Sequence, residues 1–415
     1  MASGLLASAA VLFHVGTTDA FNALAYGGRV VGASFIVAAL VELAAVVAAC
    51  DFWGRRAVRY SGAVVLVGVG TVLVSDLMFL ITQIEGRTYT PFLWLWVGLL
   101  SWVAWALWVL TRQAVWASIP HPRSIALSVV VTGVVGAAGV GYSQMYVPYS
   151  TPVDIPFGVS FGKPTASADG SVLHVPAHVE FRNAGSVRIY VVGTLWTVKG
   201  YPVTLNPGGN KMADWKRDMW QWGATLRHVS YGPSRMLGAG NFVDPGSRLD
   251  PGDDLSEDTV VDVPVRSGLG RVRIYAKASF VRADRGKLGN NYAQSYEASW
   301  DTGSAGQEHQ WDAPGWLAEP GDEVYRYHSR VYHSSEMLNL THAADHAAAW
   351  WVIPKWHEGS DFAKGDTSPY LEVSVSKDPE GEEVLDDAEQ EPYGMTTSSR
   401  YAERTLDELL RDAKR

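Results

Sequence analysis

Apolar residues are distributed in two different ways along this chain. Long stretches without charge crowd the first 149 residues, whereas the region after Tyr149 alternates apolar and polar positions. At about 1.5 Å per residue, a helix of roughly 20 apolar residues crosses about 30 Å of hydrocarbon. The sequence therefore predicts a transmembrane helical domain over 1–149, with five spans near 4–26, 31–50, 62–84, 92–110 and 124–146.

Arginine is unevenly divided among the loops that connect these predicted spans. The loop after the second span carries Arg55, Arg56 and Arg59, and the loop after the fourth span carries Arg112 and Arg123. Because basic loops tend to stay in the cytoplasm, both loops are predicted to be cytoplasmic. The fifth span then runs outward. The chain after Tyr149 is accordingly predicted to be extracytoplasmic, in a multi-pass protein of the cell membrane.

The period-two alternation after the last span predicts a β-rich domain over 150–377, connected by turns that contain Pro and Gly. The segment 270–281 shows the pattern most clearly, with apolar residues on one face and basic residues on the other. These faces consist of Val272, Ile274, Ala276, Ala278 and Phe280 on one side and Arg271, Arg273 and Lys277 on the other. The predicted fold is a membrane α-helical bundle followed by an extracytoplasmic all-β sandwich, for which an immunoglobulin-like arrangement is one fitting architecture.

Other parts of the distal half alternate poorly. Residues 211–236 and 307–356 are predicted to form long loops or short helices. Residues 378–398 are acidic and poor in large apolar side chains, which predicts a flexible tail. Residues 399–415 are expected to form a short amphipathic helix capped by Ser399. Its apolar face consists of Ala402, Leu406, Leu409 and Ala413.

Charge and cysteine content narrow the functional classes. The net charge is -9 and comes mainly from the distal half, so nucleic acid is not an expected partner. Cys50 is the single cysteine, so the chain forms no internal disulfide, and a bacterial or archaeal origin fits this composition. There is no nucleophile motif, phosphate-binding glycine loop or paired-carboxylate pattern, and a non-enzyme is therefore favoured over an enzyme.

Four polar residues interrupt the predicted spans: His14, Asp19, Glu42 and Asp76. An ionised carboxylate costs at least about 2.5 kcal/mol to place in hydrocarbon, so these groups are expected to face the interior of the bundle. One interpretation is a site that binds or conducts protons or cations. The other interpretation is a set of protonated or hydrogen-bonded groups that fix helix packing.

The distal half contains two further candidate sites. His328, His333, His342 and His346 predict a zinc or copper site, because His342 and His346 would share one face of a helix. Surface or hydrogen-bonded histidines are the alternative, since the sequence has no HExxH motif and no second cysteine. The second candidate is a partner-binding aromatic surface, with core packing as its alternative; its residues are Trp215, Trp220 and Trp222.

Three functions remain open at this stage. The first is an integral membrane protein that presents its β-sandwich to a ligand, or to a membrane or cell-surface protein, outside the cell. The second is a membrane component that translocates ions or protons through the intramembrane acids. The third is a metal-binding or redox accessory protein. No cofactor is expected apart from the zinc or copper of that third hypothesis.

Overall fold

The computed structural model describes two compact units. The described residues are 1–55, 57–58, 60–87, 89–113, 115, 136, 139, 142, 153–205, 212, 216, 229–231, 234–300, 313–354, 368–386 and 390–415. One unit, the helical unit, comprises Met1–Pro152, Ala283–Lys287 and Val331–Asp345, and the other, the β unit, comprises the rest of the chain. The predicted fifth span and the candidate residues Trp215, Trp220 and Trp222 lie outside the described residues, except for positions 136, 139 and 142.

The helical unit begins with four long helices. They are α1 (Ala2–Asn22), α2 (Tyr26–Cys50), α3 (Ser61–Glu85) and α4 (Leu93–Arg112), and a π-helical turn, Asp51–Arg55, follows α2. Within the described part of the chain, these four helices are long and apolar enough to cross a membrane. Four of the five predicted spans thus correspond to observed helices of suitable length and composition.

Small residues allow the first two helices to pack closely. A Cβ atom on Gly32 of α2 would lie 2.3 Å from the backbone nitrogen of Ala20 in α1. A Cβ atom on Gly16 would lie 2.9 Å from the backbone oxygen of Gly32. Because no side chain separates the backbones at these positions, the two helices approach closely and gain dispersion contacts.

The helical unit also contains a segment from much later in the sequence. Within Val331–Asp345, residues Glu336–Thr341 form a short helix, α5, whose N-cap Ser335 accepts a hydrogen bond from the Leu338 nitrogen at 3.4 Å. Met337 on α5 is fully buried and belongs to the same apolar cluster as Phe79 and Trp96. The segment is therefore packed into the core of the helical unit.

The described strands form three antiparallel sheets, whose residues belong mainly to the β unit. The first contains β1 (Phe157–Phe161), β2 (Thr165–Ala166), β3 (Val172–Arg182) and β8 (Asp254–Pro264). The second contains β4 (Ile189–Leu205), β5 (Val229–Tyr231), β6 (Arg235–Gly240), β7 (Arg248–Leu249), β9 (Leu269–Arg282) and β15 (Thr396–Thr405). The third contains β10 (Gly286–Leu288), β11 (Tyr296–Ala298), β12 (Glu323–His333), β13 (Asp345–Ile353) and β14 (Tyr370–Ser376).

The first two sheets enclose one hydrophobic core. Leu173, Val175 and Phe181 of β3 meet Ile274 and Phe280 of β9, and all five are at most 1% exposed. The predicted alternation along 270–281 is confirmed, because its apolar face is buried in this core. A final helix, α6 (Leu406–Ala413), covers the core with Leu406 and Leu409.

The third sheet packs on part of the outer face of the second. The Trp351 indole nitrogen of β13 donates to the Thr194 carbonyl of β4 at 2.9 Å. A Cβ atom on Gly193 would lie 3.0 Å from the Ala349 Cβ, so this glycine permits the close approach of the two sheets.

Three sequence predictions about local structure differ in part from the structure. Within 307–356, residues form β12 and β13 rather than only loops or short helices. In the predicted tail, the Asp378 carboxylate accepts backbone hydrogen bonds from Gly381, Glu382 and Glu383, and Tyr393 is 2% exposed. The final helix begins at Leu406 with Thr405 as its cap, because the residues before it pair along β9. Hydrogen bonding to a neighbouring strand outweighs the weak helical pattern.

Candidate functional site

The outer face of the second sheet is built from three neighbouring strands, β4, β9 and β15. Side chains on a strand alternate between faces, so the residues between the buried positions of β4 and β9 point outward. The strand register aligns these residues in rows across the sheet. Two adjoining rows consist of Thr197, Tyr275 and Tyr401, followed by Lys199, Arg273 and Glu403.

Arg273 is held from several sides. Its Nε and Nη2 donate to Oε2 of Glu403 at 2.8 and 2.6 Å, and Arg271 donates to the other oxygen of the same carboxylate. The guanidinium carbon lies 5.0 Å from the ring centroid of Tyr201 and 5.4 Å from that of Tyr401, which are cation–π distances. A guanidinium held in this way keeps a fixed position and a permanent positive charge.

The electrostatics of this region depend on three cations and one acid. Burial acts to raise the pKa of Glu403, but hydrogen bonds from Arg271 and Arg273 hold that pKa below its usual value. The pKa of Lys199 is lowered by burial and by the positive charge of Arg273. Among the residues that the structure describes, the Lys199 ammonium makes no hydrogen bond or ion pair. Within the described part of the chain, a partly desolvated cation without a hydrogen-bonded counter-charge thus lies beside Arg273.

The edge of the third sheet closes this surface into a cleft of about 360 Å³. The Lys277 ammonium donates to the Leu371 carbonyl at 2.5 Å and lies 3.3 Å from the Glu372 carboxylate. The Tyr370 hydroxyl donates to the Leu317 carbonyl at 2.7 Å, which fixes the start of β14. We call this site the tyrosine–cation cleft; it is lined by Leu195, Thr197, Lys199, Tyr201, Arg273, Tyr275, Lys277, Ser368, Pro369, Tyr370, Leu371, Glu372 and Tyr401.

Sequence reasoning identified only part of the cleft. Arg273 and Lys277 were expected on the polar face of their strand, and they line the cleft. The sequence analysis did not identify Lys199 or Tyr201 as site residues. The alternation of Thr197, Lys199 and Tyr201 could have placed them on one face of a strand. Tyr401 was not identified as a site residue, because a helix was predicted at 399–415.

Asp19 has a well-defined structural role within the helical unit. It is 1% exposed, and its carboxylate accepts hydrogen bonds from the backbone nitrogens of Glu336 at 2.5 Å and Met337 at 3.3 Å. These two N–H groups begin α5 and have no partner within the helix. Asp19 therefore accepts the hydrogen bonds of the backbone N–H groups at the amino end of α5.

Glu42 and Asp76 are placed differently. Glu42 is fully buried and Asp76 is 2% exposed. Among the described residues, neither Glu42 oxygen has a hydrogen-bond partner, and Oδ2 of Asp76 has none. The Ser8 hydroxyl interacts with Glu42 without reaching hydrogen-bond geometry, and Asp76 is close enough to interact electrostatically. His14 is exposed on α1, so the four predicted residues do not share one buried site.

The four candidate histidines separate into pairs. In the helical unit, the rings of His333 and His342 lie 5.0 Å apart. In the β unit, His328 lies 3.3 Å from the Glu297 carboxylate and is close enough to His346 to interact electrostatically. His342 follows α5 and His346 belongs to β13, so the expectation of a shared helical face is wrong. Within the described ranges, no group of three or more His, Cys, Asp or Glu residues could hold a metal ion.

Comparisons with known proteins give no family for this chain. No family model and no curated protein matches it. The putative ApaA protein from Bordetella pertussis is similar at 14% identity and a TM-score of 0.18, over 32% of this chain and 82% of that one. Spo0M, a sporulation control protein from Bacillus subtilis, is similar at 8% identity and a TM-score of 0.18, over 63% of this chain and 94% of that one. At these scores, neither similarity carries an argument about function.

Proposed function

We propose that this chain is a multi-pass protein of the cell membrane that presents a β-sandwich outside the cell for binding a ligand or partner. The four apolar helices, together with the predicted fifth, would cross the bilayer. The β unit, with an immunoglobulin-like arrangement as its proposed class, would carry the binding site. The tyrosine–cation cleft is the candidate site for this function.

The docking of α5 is the observation that carries the proposal. The Leu24 nitrogen, in the connection between α1 and α2, donates to the Ser334 carbonyl at 3.0 Å. The Thr90 hydroxyl, in the connection between α3 and α4, donates to the Leu340 carbonyl at 2.7 Å. The segment 331–345 therefore contacts the same end of the helices at both connections.

This end of the helices is opposite to the arginine-rich loops. Those loops follow α2 and α4, and they are predicted to be cytoplasmic because of their charge. The segment 331–345 contacts the helices where α1 ends and α2 begins. This end of the helices is predicted to lie outside the cell. The docking of α5 assigns the distal segment to this end of the helices, and the distribution of arginine assigns this end to the outside.

Labelling of intact cells tests the proposed topology. A Cys50→Ala background would carry one new cysteine, either Arg266→Cys in an exposed turn of the β unit or Ala57→Cys after α2. We expect a membrane-impermeant maleimide to label Arg266→Cys in intact cells and Ala57→Cys only after permeabilisation. The opposite pattern, or labelling of both only after permeabilisation, would refute the extracytoplasmic assignment.

Proton or cation translocation is the second candidate function, and Glu42 is the observation that favours it. A fully buried carboxylate that lacks hydrogen-bond partners among the described residues is costly for a purely structural role. Glu42→Gln or Asp76→Asn should abolish proton flux in reconstituted vesicles that contain a pH-sensitive dye. Glu85→Gln, which removes an exposed carboxylate from the end of α3, is the matched control. Native flux in both buried variants would eliminate this function.

A further inference from the structure

We infer that the tyrosine–cation cleft binds a small organic acid that carries an aromatic ring. This inference rests on the proposed function, because it assigns a ligand class to the site that the β unit would present. The acid group would lie against Lys199 beside Arg273, and the ring would lie against Tyr275 and Tyr401.

The charge of the cleft selects for an anion. Lys199, Arg273 and Lys277 line it together with one acid, Glu372, and a second acid, Glu403, pairs with Arg273. This local positive excess stands out in a chain whose net charge is -9. A carboxylate ligand would supply Lys199 with the hydrogen-bonded counter-charge that it lacks among the described residues.

The tyrosines select for a flat ring. Tyr275 is 37% exposed and Tyr401 is 68% exposed, although both are large side chains in the middle of paired strands. Offset stacking or edge contacts with a second ring stabilise such pairs beyond the contribution of the area that they bury. The row of these two tyrosines adjoins the row of Lys199 at a spacing of about 7 Å along the strands, which a small ring acid covers.

The size and rigidity of the cleft favour a small molecule. A volume of about 360 Å³ falls within the range of roughly 300–1,000 Å³ that is usual for small-molecule sites. Arg273 is fixed by Glu403 and by two tyrosine rings, and Lys277 is fixed by the start of β14. Side chains that are ordered before binding lose little conformational entropy when the ligand enters.

The test uses the full chain in detergent micelles and benzoate as the probe. Saturation-transfer NMR would compare benzoate with benzamide, which keeps the ring and removes the charge, and with inorganic phosphate in competition. We expect saturable binding of benzoate with a Kd in the millimolar range or below, and at least tenfold weaker binding of benzamide. In the competition experiment, phosphate should bind at least tenfold more weakly than benzoate, because it lacks the ring.

Variants locate the binding site. Lys199→Gln should weaken benzoate binding about tenfold, Lys199→Arg should restore most of it, and Tyr401→Ala should weaken it several-fold. Lys163→Gln removes an exposed cation outside the cleft and should leave binding unchanged. The near-UV circular dichroism of each variant confirms that it is folded. If Lys199→Gln does not fold, the Lys199→Arg and Tyr401→Ala pair still tests the site.

Three results would overturn the inference: no saturable benzoate binding, equal binding of benzamide, or equal competition by phosphate. Native affinity in folded Lys199→Gln and Tyr401→Ala variants would also overturn it, by placing the ligand elsewhere. The cysteine-labelling experiment is independent of these results. Correct labelling without benzoate binding refutes the ligand class alone, and benzoate binding with reversed labelling refutes the topology alone.

Discussion

The two units place carboxylates in opposite environments. Glu403 of the β unit is 14% exposed and forms hydrogen-bonded ion pairs with Arg271 and Arg273. Glu42 of the helical unit is fully buried, and no hydrogen bond reaches its carboxylate from the described residues. The difference is that two arginines fix the Glu403 carboxylate, whereas the Glu42 carboxylate has no hydrogen-bond partner among the described residues.

Asp19 lies between these two extremes. It is as buried as Glu42, but it accepts two backbone hydrogen bonds from the first turn of α5. A helix amino end offers unpaired N–H groups and a partial positive charge, so it can substitute for a cationic side chain. Three acids thus have three kinds of surroundings, and substitutions can distinguish them.

The largest effect is expected at Glu403. Glu403→Ala would leave two partly buried arginines without their shared carboxylate. The free energy of unfolding of the β unit should fall by about 2 kcal/mol. This loss is smaller than that of a fully buried pair, because the arginines are partly exposed. Denaturant unfolding followed by tryptophan fluorescence measures it. Glu257→Ala, at an exposed position on β8, is the control. A loss below about 0.5 kcal/mol would show that the arginines do not depend on Glu403.

The same carboxylate predicts a pH dependence. The pKa of Glu403 is lower in the folded protein than its ordinary value of 4.5. Its contribution to stability should therefore be complete above the unfolded-state pKa and be lost as the pH falls through the lower folded-state pKa. The native protein and Glu403→Gln should converge in stability at the acid end of a pH series. A constant difference down to about pH 2 would contradict this assignment.

The second effect is expected at Asp19. Asp19→Ala would leave the backbone nitrogens of Glu336 and Met337 without their acceptor and should destabilise the docked segment by about 1–2 kcal/mol. Hydrogen exchange at these two amides measures the change directly, and Asp19→Asn should retain part of the protection. Unchanged exchange in Asp19→Ala would mean that the apolar contacts of Met337 are sufficient to hold α5.

A smaller effect is expected at Glu42. Glu42→Gln removes a carboxylate that has no hydrogen-bond partner among the described residues, so stability in detergent should change by less than about 1 kcal/mol or increase. Thermal unfolding in micelles checks this expectation. A loss of stability as large as that of Glu403→Ala would show that the Glu42 carboxylate has a structural partner. The two carboxylates would then no longer differ in this respect.

The smallest effect concerns the exposed face of the first sheet. His178 Nδ1 lies 2.7 Å from Asp258 Oδ1, and that hydrogen bond raises the pKa of His178. Its stabilisation should be present below about pH 6.5, the ordinary histidine value, and be lost as the pH rises through the higher folded-state pKa. Because the pair is exposed, a few tenths of a kcal/mol are expected. Unfolding of His178→Asn at pH 5 and pH 9 measures it; an equal difference at both would contradict this assignment.

Local patterns were sufficient where one environment dominates the choice of residues. Continuous apolar runs indicated the four long helices, and alternation correctly assigned the two faces of β9. The same approach failed at residues 396–405, where a strand replaces the first part of the expected helix. There the decisive contacts come from β9, more than 100 residues earlier in the sequence.

The sequence by itself determined which segments are apolar enough to span a membrane and which faces of the clearest strands are buried. These properties follow from side-chain transfer energies and from the periods of helices and strands, which act over a few residues. Only the tertiary structure decided that Asp19 would accept the backbone of α5 and that Lys199, Arg273 and Tyr401 would share one cleft. Those arrangements depend on strand register and on contacts between distant segments, which no local pattern encodes.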